Sequence, residues 1–302
     1  MHDQGGGILG PAVLVVLLGG PVLLWLAGVV QRTRNPDKAS GQPFDLALLV
    51  NSTVLYALAF NLTFFIQELF LVIPKALTPG LRPTLFHNNH TWEGDDPIAR
   101  LYQGGGTVAA FVSGFLFLLL MRLAPRGVSR LFAFWMAYHG LMMSLPQLPS
   151  GVLAPDTDFG QAMTYLHLTQ ATKIAIALAG LAAMAVAALL LARGVLEQAD
   201  AEERVGTAKT RSGFIVNAAV LPAIIAIPVI ALFRVPASPQ TVLAAPILIA
   251  WFGVSYMYAS AWLFAGVKPL GVRSGVAWPA LAALILLLAI FQFALAPGVR
   301  FY

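Results

Sequence analysis

The chain lacks cysteine altogether, which excludes disulfide bonds and thiolate metal sites. Charge is scarce as well, because charged residues make up 10% of the 302 residues, whereas a soluble domain has about 25%. No G-x-S-x-G motif occurs, and five histidines are too few for the histidine boxes of membrane di-iron enzymes. An ordinary soluble domain and the common serine- and cysteine-dependent catalysts therefore find no support in this sequence.

Long apolar runs are what the chain has instead. Hydrophobic residues make up 59% of it, and its mean hydropathy is +0.80. Runs of more than about 18 apolar residues are typical of helices that cross a bilayer. We therefore predict an all-α, polytopic transmembrane helix bundle that forms a single integral membrane domain over residues 1–302. Its roughly eight spans are expected at 8–30, 45–73, 106–123, 128–146, 171–192, 213–233, 242–266 and 276–296.

Basic residues are distributed unevenly between the predicted loops. Twelve of the 18 Lys and Arg residues follow spans 1, 3, 5 and 7. Since loops rich in Lys and Arg stay on the cytoplasmic side, both termini are predicted to be extracytoplasmic. The same bias accounts for the sequence pI of 9.7 without nucleic acid as a partner. The expected location is a bacterial inner (plasma) membrane, with the lipid bilayer as the main partner.

Unusual polar residues are concentrated in residues 45–170, which are predicted to hold a polar core and both long outer loops. Residues 171–302 form plainer apolar helices. Ionisable groups beside hydrocarbon are costly, so they are candidates for a functional site. The candidates that the predicted topology puts on the extracytoplasmic side are Glu68, His87, His90, His139 and Asp158.

Glu68 belongs to a polar stripe on the second predicted span. Asn61 and, less closely, Asn51 fall on the same face of that helix. Polar side chains on a membrane helix face the bundle interior rather than lipid. Glu68 is therefore expected either to hold helices together by hydrogen bonds or to act in proton handling or metal binding.

The loop after this span contains two histidines in an H-x-x-H spacing, His87 and His90, followed by three acids. This spacing can place both imidazoles on one helical face or in one tight turn, and imidazole binds divalent metals such as Zn. The alternative is a polar loop whose side chains cap turns. His139 is likewise either a metal ligand or a hydrogen-bonded core residue. Residues 85–100 are also a candidate surface for a membrane-protein partner.

A short motif near the end of the second span reads Gln67-Glu68-Leu69-Phe70-Leu71, and a glycine-rich entry to the next span follows it. Together with a later Asp-Phe-Gly element, this order resembles the core of the site-2-protease-like (M50-like) membrane metallopeptidases. In that family a membrane helix carries H-E-x-x-H, in which two zinc-binding histidines flank a catalytic Glu.

The resemblance implies roles for individual residues. Glu68 matches the catalytic Glu, whereas Gln67 and Leu71 stand where the family has its two histidines. The small-residue entry corresponds to Gly104 through Gly114, and the later motif to Asp158-Phe159-Gly160. The resemblance thus implies either a pseudoenzyme of that architecture or a zinc site rebuilt from other histidines. Those histidines are His87, His90 and His139.

Three functions agree with these features. The first, which we favour, is a non-catalytic, pseudoenzyme-like component or partner of a membrane assembly. The second is a metal-dependent membrane hydrolase with Glu68 as general base; its metal ligands would be His87, His90 and Asp158, with His139 as a further candidate. The third is a proton-coupled transporter that uses Glu68 as its coupling carboxylate.

Overall fold

The computed structural model of the protein describes residues 4–34, 44–123 and 126–302, and most of them are helical. The α-helices, in chain order, are α1 (Gln4–Leu14), α2 (Gly20–Arg34), α3 (Leu46–Ala76), α4 (Ala99–Leu123), α5 (Val128–Ser144), α6 (Gln147–Leu153), α7 (Asp158–Tyr165), α8 (Gln170–Leu196), α9 (Ala208–Ile215), α10 (Leu221–Arg234), α11 (Pro239–Ser260) and α12 (Trp278–Ala289). π-Helical segments join α1 to α2 and α9 to α10 and extend α12; they are Val15–Gly19, Val216–Val220 and Ile290–Leu295.

Seven helical segments of the described residues are long and apolar enough to cross a membrane. They are Leu9–Arg34, Leu46–Ala76, Ala99–Leu123, Gln170–Leu196, Ala208–Arg234, Val242–Leu263 and Trp278–Leu295. The remaining predicted span corresponds to α5, whose 17 residues extend about 26 Å. The prediction of an all-α polytopic bundle with about eight spans is therefore confirmed, and the protein is a multi-pass membrane protein.

Helix α5 is the centre of the bundle because α3, α4, α8 and α11 all pack against it. Three of its aromatic side chains, Phe134, Trp135 and Tyr138, are fully buried, and the two largest are also hydrogen-bonded. Trp135 Nε1 donates to Ser52 Oγ at 2.9 Å, and the Tyr138 hydroxyl donates to the Ile249 carbonyl at 2.7 Å. Tyr56 of α3 packs edge-on against Trp135, with ring centroids 4.8 Å apart. Buried aromatic groups with satisfied polar atoms contribute large packing area at little cost.

Glycines set the distance between α4 and α5. Gly114 faces Gly140 where the two helices cross. A Cβ atom on Gly114 would lie 2.7 Å from the Leu141 amide nitrogen, and one on Gly140 would lie 2.7 Å from the Ala110 carbonyl oxygen. Small residues allow such close backbone approach in membrane bundles, where packing rather than the hydrophobic effect drives helix association.

A small antiparallel sheet lies at one end of the bundle, where the sequence had predicted only a loop. Its strands are β1 (Arg82–Leu85), β2 (His90–Glu93) and β3 (Val299–Arg300), in the spatial order β2-β1-β3. The hairpin pairs Leu85 with His90 and Arg82 with Glu93, while β3 adds the C-terminal residues to the free edge of β1. The sheet therefore connects the predicted outer loop to the C-terminal end of the chain.

A polar cluster joins the start of α3 to the loop between α8 and α9. Arg204 contacts two carboxylates there, Asp45 Oδ2 at 2.9 Å and Asp200 Oδ1 at 3.0 Å. Partial burial raises the pKa of Asp45, but the Leu48 N–H and Arg204 outweigh this and hold it below its ordinary value of 3.8. Asp45 also caps α3, because its side chain accepts a hydrogen bond from the Leu48 N–H. We interpret this cluster as a structural connection between helices.

Candidate functional site

The candidate site is built around Glu68 and His90, where the sheet meets the bundle. Glu68 lies near the end of α3, and His90 is the first residue of β2. The His90 Nδ1 atom lies 2.8 Å from Glu68 Oε2, and both side chains are 7% exposed. Charge-assisted hydrogen bonds of this length are stronger than neutral ones, and more so when water is excluded. The pair therefore forms a firm link between the sheet and α3.

Lys75 and Gln103 complete the surroundings of the His90 ring. Lys75 follows Glu68 by two helical turns on α3, which places both on one face of the helix, and it is fully buried. Its Nζ donates to the Leu71 carbonyl at 2.7 Å and lies 3.4 Å from His90 Nε2 and 3.3 Å from Gln103 Oε1. Gln103, from α4, has its Oε1 3.1 Å from His90 Nε2. Three elements thus converge on one imidazole.

Both ring nitrogens of His90 have partners within hydrogen-bond reach. A carboxylate only accepts, so Nδ1 carries a proton towards Glu68. At Nε2 the ring meets both a donor, Lys75 Nζ, and an acceptor, Gln103 Oε1. A neutral imidazole accepts from Lys75 there, and an imidazolium donates to Gln103. The Nε2 atom thus has both a donor and an acceptor within hydrogen-bond reach.

Trp92 covers the cluster from the sheet. Its ring stacks on the His90 ring with centroids 5.9 Å apart and planes 18° apart. The Lys75 ammonium lies 4.7 Å from the centre of the same indole. A cation over an indole face is stabilised by the quadrupole of the ring. Trp92 therefore shields the charges as well as contributing to the sheet.

Asp158, the first residue of α7, brings a second acid to this cluster. Burial raises the pKa of the Asp158 carboxyl above its ordinary value of 3.8, and the negative charge of Glu68 raises it further. His90 and Lys75 act in the opposite direction without cancelling these effects. Ionised Asp158 is therefore less favourable in the folded protein than in the unfolded chain.

We expect Asp158→Asn to stabilise the protein at neutral pH. An acid whose pKa is raised on folding costs stability once it ionises, and this cost disappears as the pH falls towards 3.8. The gain should therefore be present at pH 7 and shrink with acidification. The measurement is the midpoint of thermal unfolding in detergent across this pH range. Asp156→Asn, at an exposed acid just before α7, is the matched control, and an equal or larger gain there would contradict the prediction.

Three glycines of α4 bring the surrounding helices to the site. They lie inside the helix rather than before it. A Cβ atom on Gly105 would lie 2.7 Å from the Phe70 carbonyl oxygen of α3, and one on Gly104 would lie 2.9 Å from Ala162 Cβ of α7. A Cβ atom on Gly106 would come equally close to Gln67 of α3. Larger residues at these positions would push α4, and with it Gln103, away from the imidazole.

His87 lies apart from the Glu68–His90 pair, in the turn between β1 and β2. Its imidazole is buried near the backbone carbonyls of Arg234 and Val235, although neither ring nitrogen has a hydrogen-bond partner among the described residues. Burial lowers the pKa of His87 below 6.5, and those carbonyls only partly offset the effect. The hairpin thus separates His87 and His90, because one is in the turn and the other in a strand.

His139 is also away from the cluster, on α5 in the aromatic core. It is fully buried and packs edge-on against Tyr56, Phe60 and Tyr138. Neither of its ring nitrogens has a hydrogen-bond partner in the described part of the chain. Of the predicted ligand set, the structure thus brings together His90 and Asp158, with Glu68. Within residues 4–34, 44–123 and 126–302, no group of three His, Asp or Glu side chains is arranged to hold a metal ion.

Sequence reasoning missed Lys75, Gln103 and Arg234. The seven-residue spacing between Glu68 and Lys75 was a usable signal, because it places an acid and a base on one helical face. Gln103 carried no such signal, since only the packing of α4 brings it to His90. Arg234 lies in residues 171–302, which were predicted to form plainer apolar helices without site residues.

Fold and site together define a class, a polytopic α-helical membrane protein with a buried cluster of acids, a histidine and a lysine at one end of the bundle. Comparison with protein families, with curated proteins and with solved structures found no match to this chain. The similarity to site-2-protease-like metallopeptidases therefore stays a prediction from its motifs. At the two positions of the family's histidines, Gln67 is close to Gln147 Nε2 (3.3 Å) and Leu71 is fully buried.

Proposed function

We propose that the protein is a non-catalytic component of a membrane assembly, with its three-stranded sheet as the recognition surface. The observation that carries this proposal is the Glu68–His90 hydrogen bond, which fixes the sheet to the bundle. Interfaces bind more tightly when the contacting surface is held in place before binding. The positive-inside distribution of Lys and Arg supports an extracytoplasmic location for the sheet.

The surroundings of Glu68 support a structural rather than a catalytic role. A general base must come within hydrogen-bond reach of the proton that it removes, directly or through one water. Glu68 is 6% exposed and already bonded to His90, whose other nitrogen is within reach of Lys75 and Gln103. The polar atoms of the cluster therefore form hydrogen bonds with one another. Purified protein with stoichiometric zinc that is lost in His90→Ala would contradict this proposal and favour the metallohydrolase.

The open end of the hairpin, opposite its turn, is the part of the sheet that a partner would contact. Glu93 and Asp95 are both exposed there. Charged groups at the rim of an interface steer association and select partners. The proposal thus includes a partner with a basic patch that faces this end of the hairpin.

We expect the double variant Glu93→Gln/Asp95→Asn to lose its membrane partners, because removing both charges weakens association with a basic surface. The measurement is quantitative mass spectrometry of proteins that co-purify with the tagged chain from native membranes. At least a tenfold loss of the enriched partners, about 1.4 kcal/mol, is expected.

The matched control is Glu202→Gln/Glu203→Gln, which removes two exposed acids from the loop between α8 and α9. It should leave the enriched partners unchanged. An equal loss in both double variants, or no partner enriched with the wild-type chain, would contradict a recognition role for the sheet.

A further inference from the structure

A cavity of about 410 Å³ lies between the first span and helices α3, α5, α6, α8 and α11. Its volume is within the usual range of small-molecule sites, about 300–1,000 Å³, and sites between the helices of a bundle are common. Most of its wall is apolar, as at Leu17, Leu181 and Phe252. Leu153 and Leu248 are wall residues that are also exposed on the outside of the bundle. The cavity is thus accessible from the side that faces hydrocarbon.

Arg234 gives this apolar cavity a positive charge. Arg234 is the last residue of α10 and lines the cavity. Only 6% of its surface is exposed. Its Nε and Nη1 atoms have no hydrogen-bond partner in the described part of the chain, and the guanidinium lies 4.6 Å from the centre of the Phe64 ring. The negative charge of Glu68 acts on it, without a hydrogen bond between the two. A buried guanidinium with free N–H groups is costly unless an acceptor completes it.

Two other cavities between helices differ from this one in the polarity of their walls. Their volumes are similar, about 380 Å³ between α4 and α8 and about 360 Å³ between α10 and α11. Neither wall contains a charged residue. Such apolar grooves are ordinary contact surfaces for lipid chains. The cavity at Arg234 adds a cation and the amide groups of Gln67 and Gln147, which suit the polar end of a ligand.

We propose that this cavity binds a single-chain amphiphile with an anionic head group, taken from the lipid phase. Charge complementarity places the head group at Arg234, because a guanidinium matches carboxylate and phosphate oxygens with paired N–H donors. The apolar wall along Leu17, Leu181 and Phe252 receives the chain. The volume is near the lower end of the range for ligand sites, which suits one chain rather than two. This site is distinct from the sheet and does not depend on its partner.

Equilibrium binding to the purified chain in phosphatidylcholine nanodiscs tests the proposal, with empty nanodiscs subtracted. The probes are dodecanoate and dodecyl phosphate, with dodecanol as the uncharged match and butanoate as a soluble anion. We expect saturable binding of one molecule per chain, at least tenfold tighter for an anionic probe than for dodecanol. Equal binding of dodecanol would overturn the role of the head group. Butanoate binding as tight as that of dodecanoate would overturn the lipid source.

Variants locate the binding in this cavity. Arg234→Gln should weaken binding of the anionic probe about tenfold to a hundredfold, the range for a lost hydrogen bond to a charged group. Ala245→Phe fills the cavity and should weaken it at least tenfold, whereas Ala244→Phe, at the exposed neighbouring position, should leave it unchanged. The two phenylalanine variants decide the question even if Arg234→Gln does not fold. Binding that Ala245→Phe leaves intact would overturn the proposal.

Discussion

Replacing Glu68 with alanine is expected to lower the free energy of unfolding by about 3 kcal/mol, the upper part of the range for leaving a buried hydrogen-bonding partner unsatisfied. The loss leaves His90 without its carboxylate and leaves the buried Lys75 ammonium with less negative charge around it. Both side chains of the pair are 7% exposed, so the groups that lose this partner stay largely shielded from bulk water. Unfolding of the purified protein in mixed micelles of mild and denaturing detergent measures the change.

Two further variants sharpen this test. Glu68→Gln should cost less than Glu68→Ala, since an amide oxygen still accepts a hydrogen bond from His90 Nδ1. Glu93→Ala removes an exposed acid from the same hairpin and should stay within about 0.5 kcal/mol of the wild type. A cost below about 1 kcal/mol for Glu68→Ala would mean that the Glu68–His90 pair does not hold the sheet to the bundle.

Adding one methyl group at Gly140 is expected to destabilise the bundle by about 1–3 kcal/mol, the usual range for an overpacked core. The new Cβ atom would overlap the backbone of Gly114, and backbone atoms cannot move aside as a flexible side chain can. Helices α4 and α5 would have to separate, although α5 is the centre of the bundle. The same unfolding assay measures the effect.

Gly213→Ala is the matched control for Gly140→Ala. Gly213 is an exposed residue inside α9, and an added Cβ meets no atom within 4 Å. Alanine is a better helix former than glycine by about 0.5–1 kcal/mol, so this variant should be slightly more stable than the wild type. The same chemical change is thus expected to act with opposite signs at the two positions. Equal effects would show that helix propensity, and not the close crossing of α4 and α5, decides the outcome at Gly140.

The polar stripe on α3 shows how far sequence reasoning reaches. Asn51, Asn61 and Glu68 were predicted to face the interior, and all three are buried. Asn51 bonds to the backbone of Gly275 and Ala277, which agrees with a role in joining segments of the chain. The prediction succeeded because a polar group in hydrocarbon has no alternative to the bundle interior.

The hairpin shows where that reasoning stops. Its two strands have four residues each, and β1 contains a proline. Neither segment therefore shows the length and the alternation of apolar and polar residues that predict a strand. The third strand comes from the C-terminal end of the chain, which local patterns cannot connect to residue 85. Without the strands, His87 and His90 were taken as a pair in one turn or on one helical face. In the structure only His90 reaches Glu68.

The sequence by itself determined the class of protein, the positions of its spans and the burial of the α3 stripe. These follow from the cost of exposing polar groups to hydrocarbon, which acts on each segment separately. Only the tertiary structure decided the partners of that stripe. The close packing that the α4 glycines allow brings Gln103 to the imidazole that Glu68 and Lys75 of α3 contact, and the sheet supplies His90 and Trp92. The end of α10 supplies Arg234 to the cavity, because contacts between distant segments depend on how helices pack and not on local sequence.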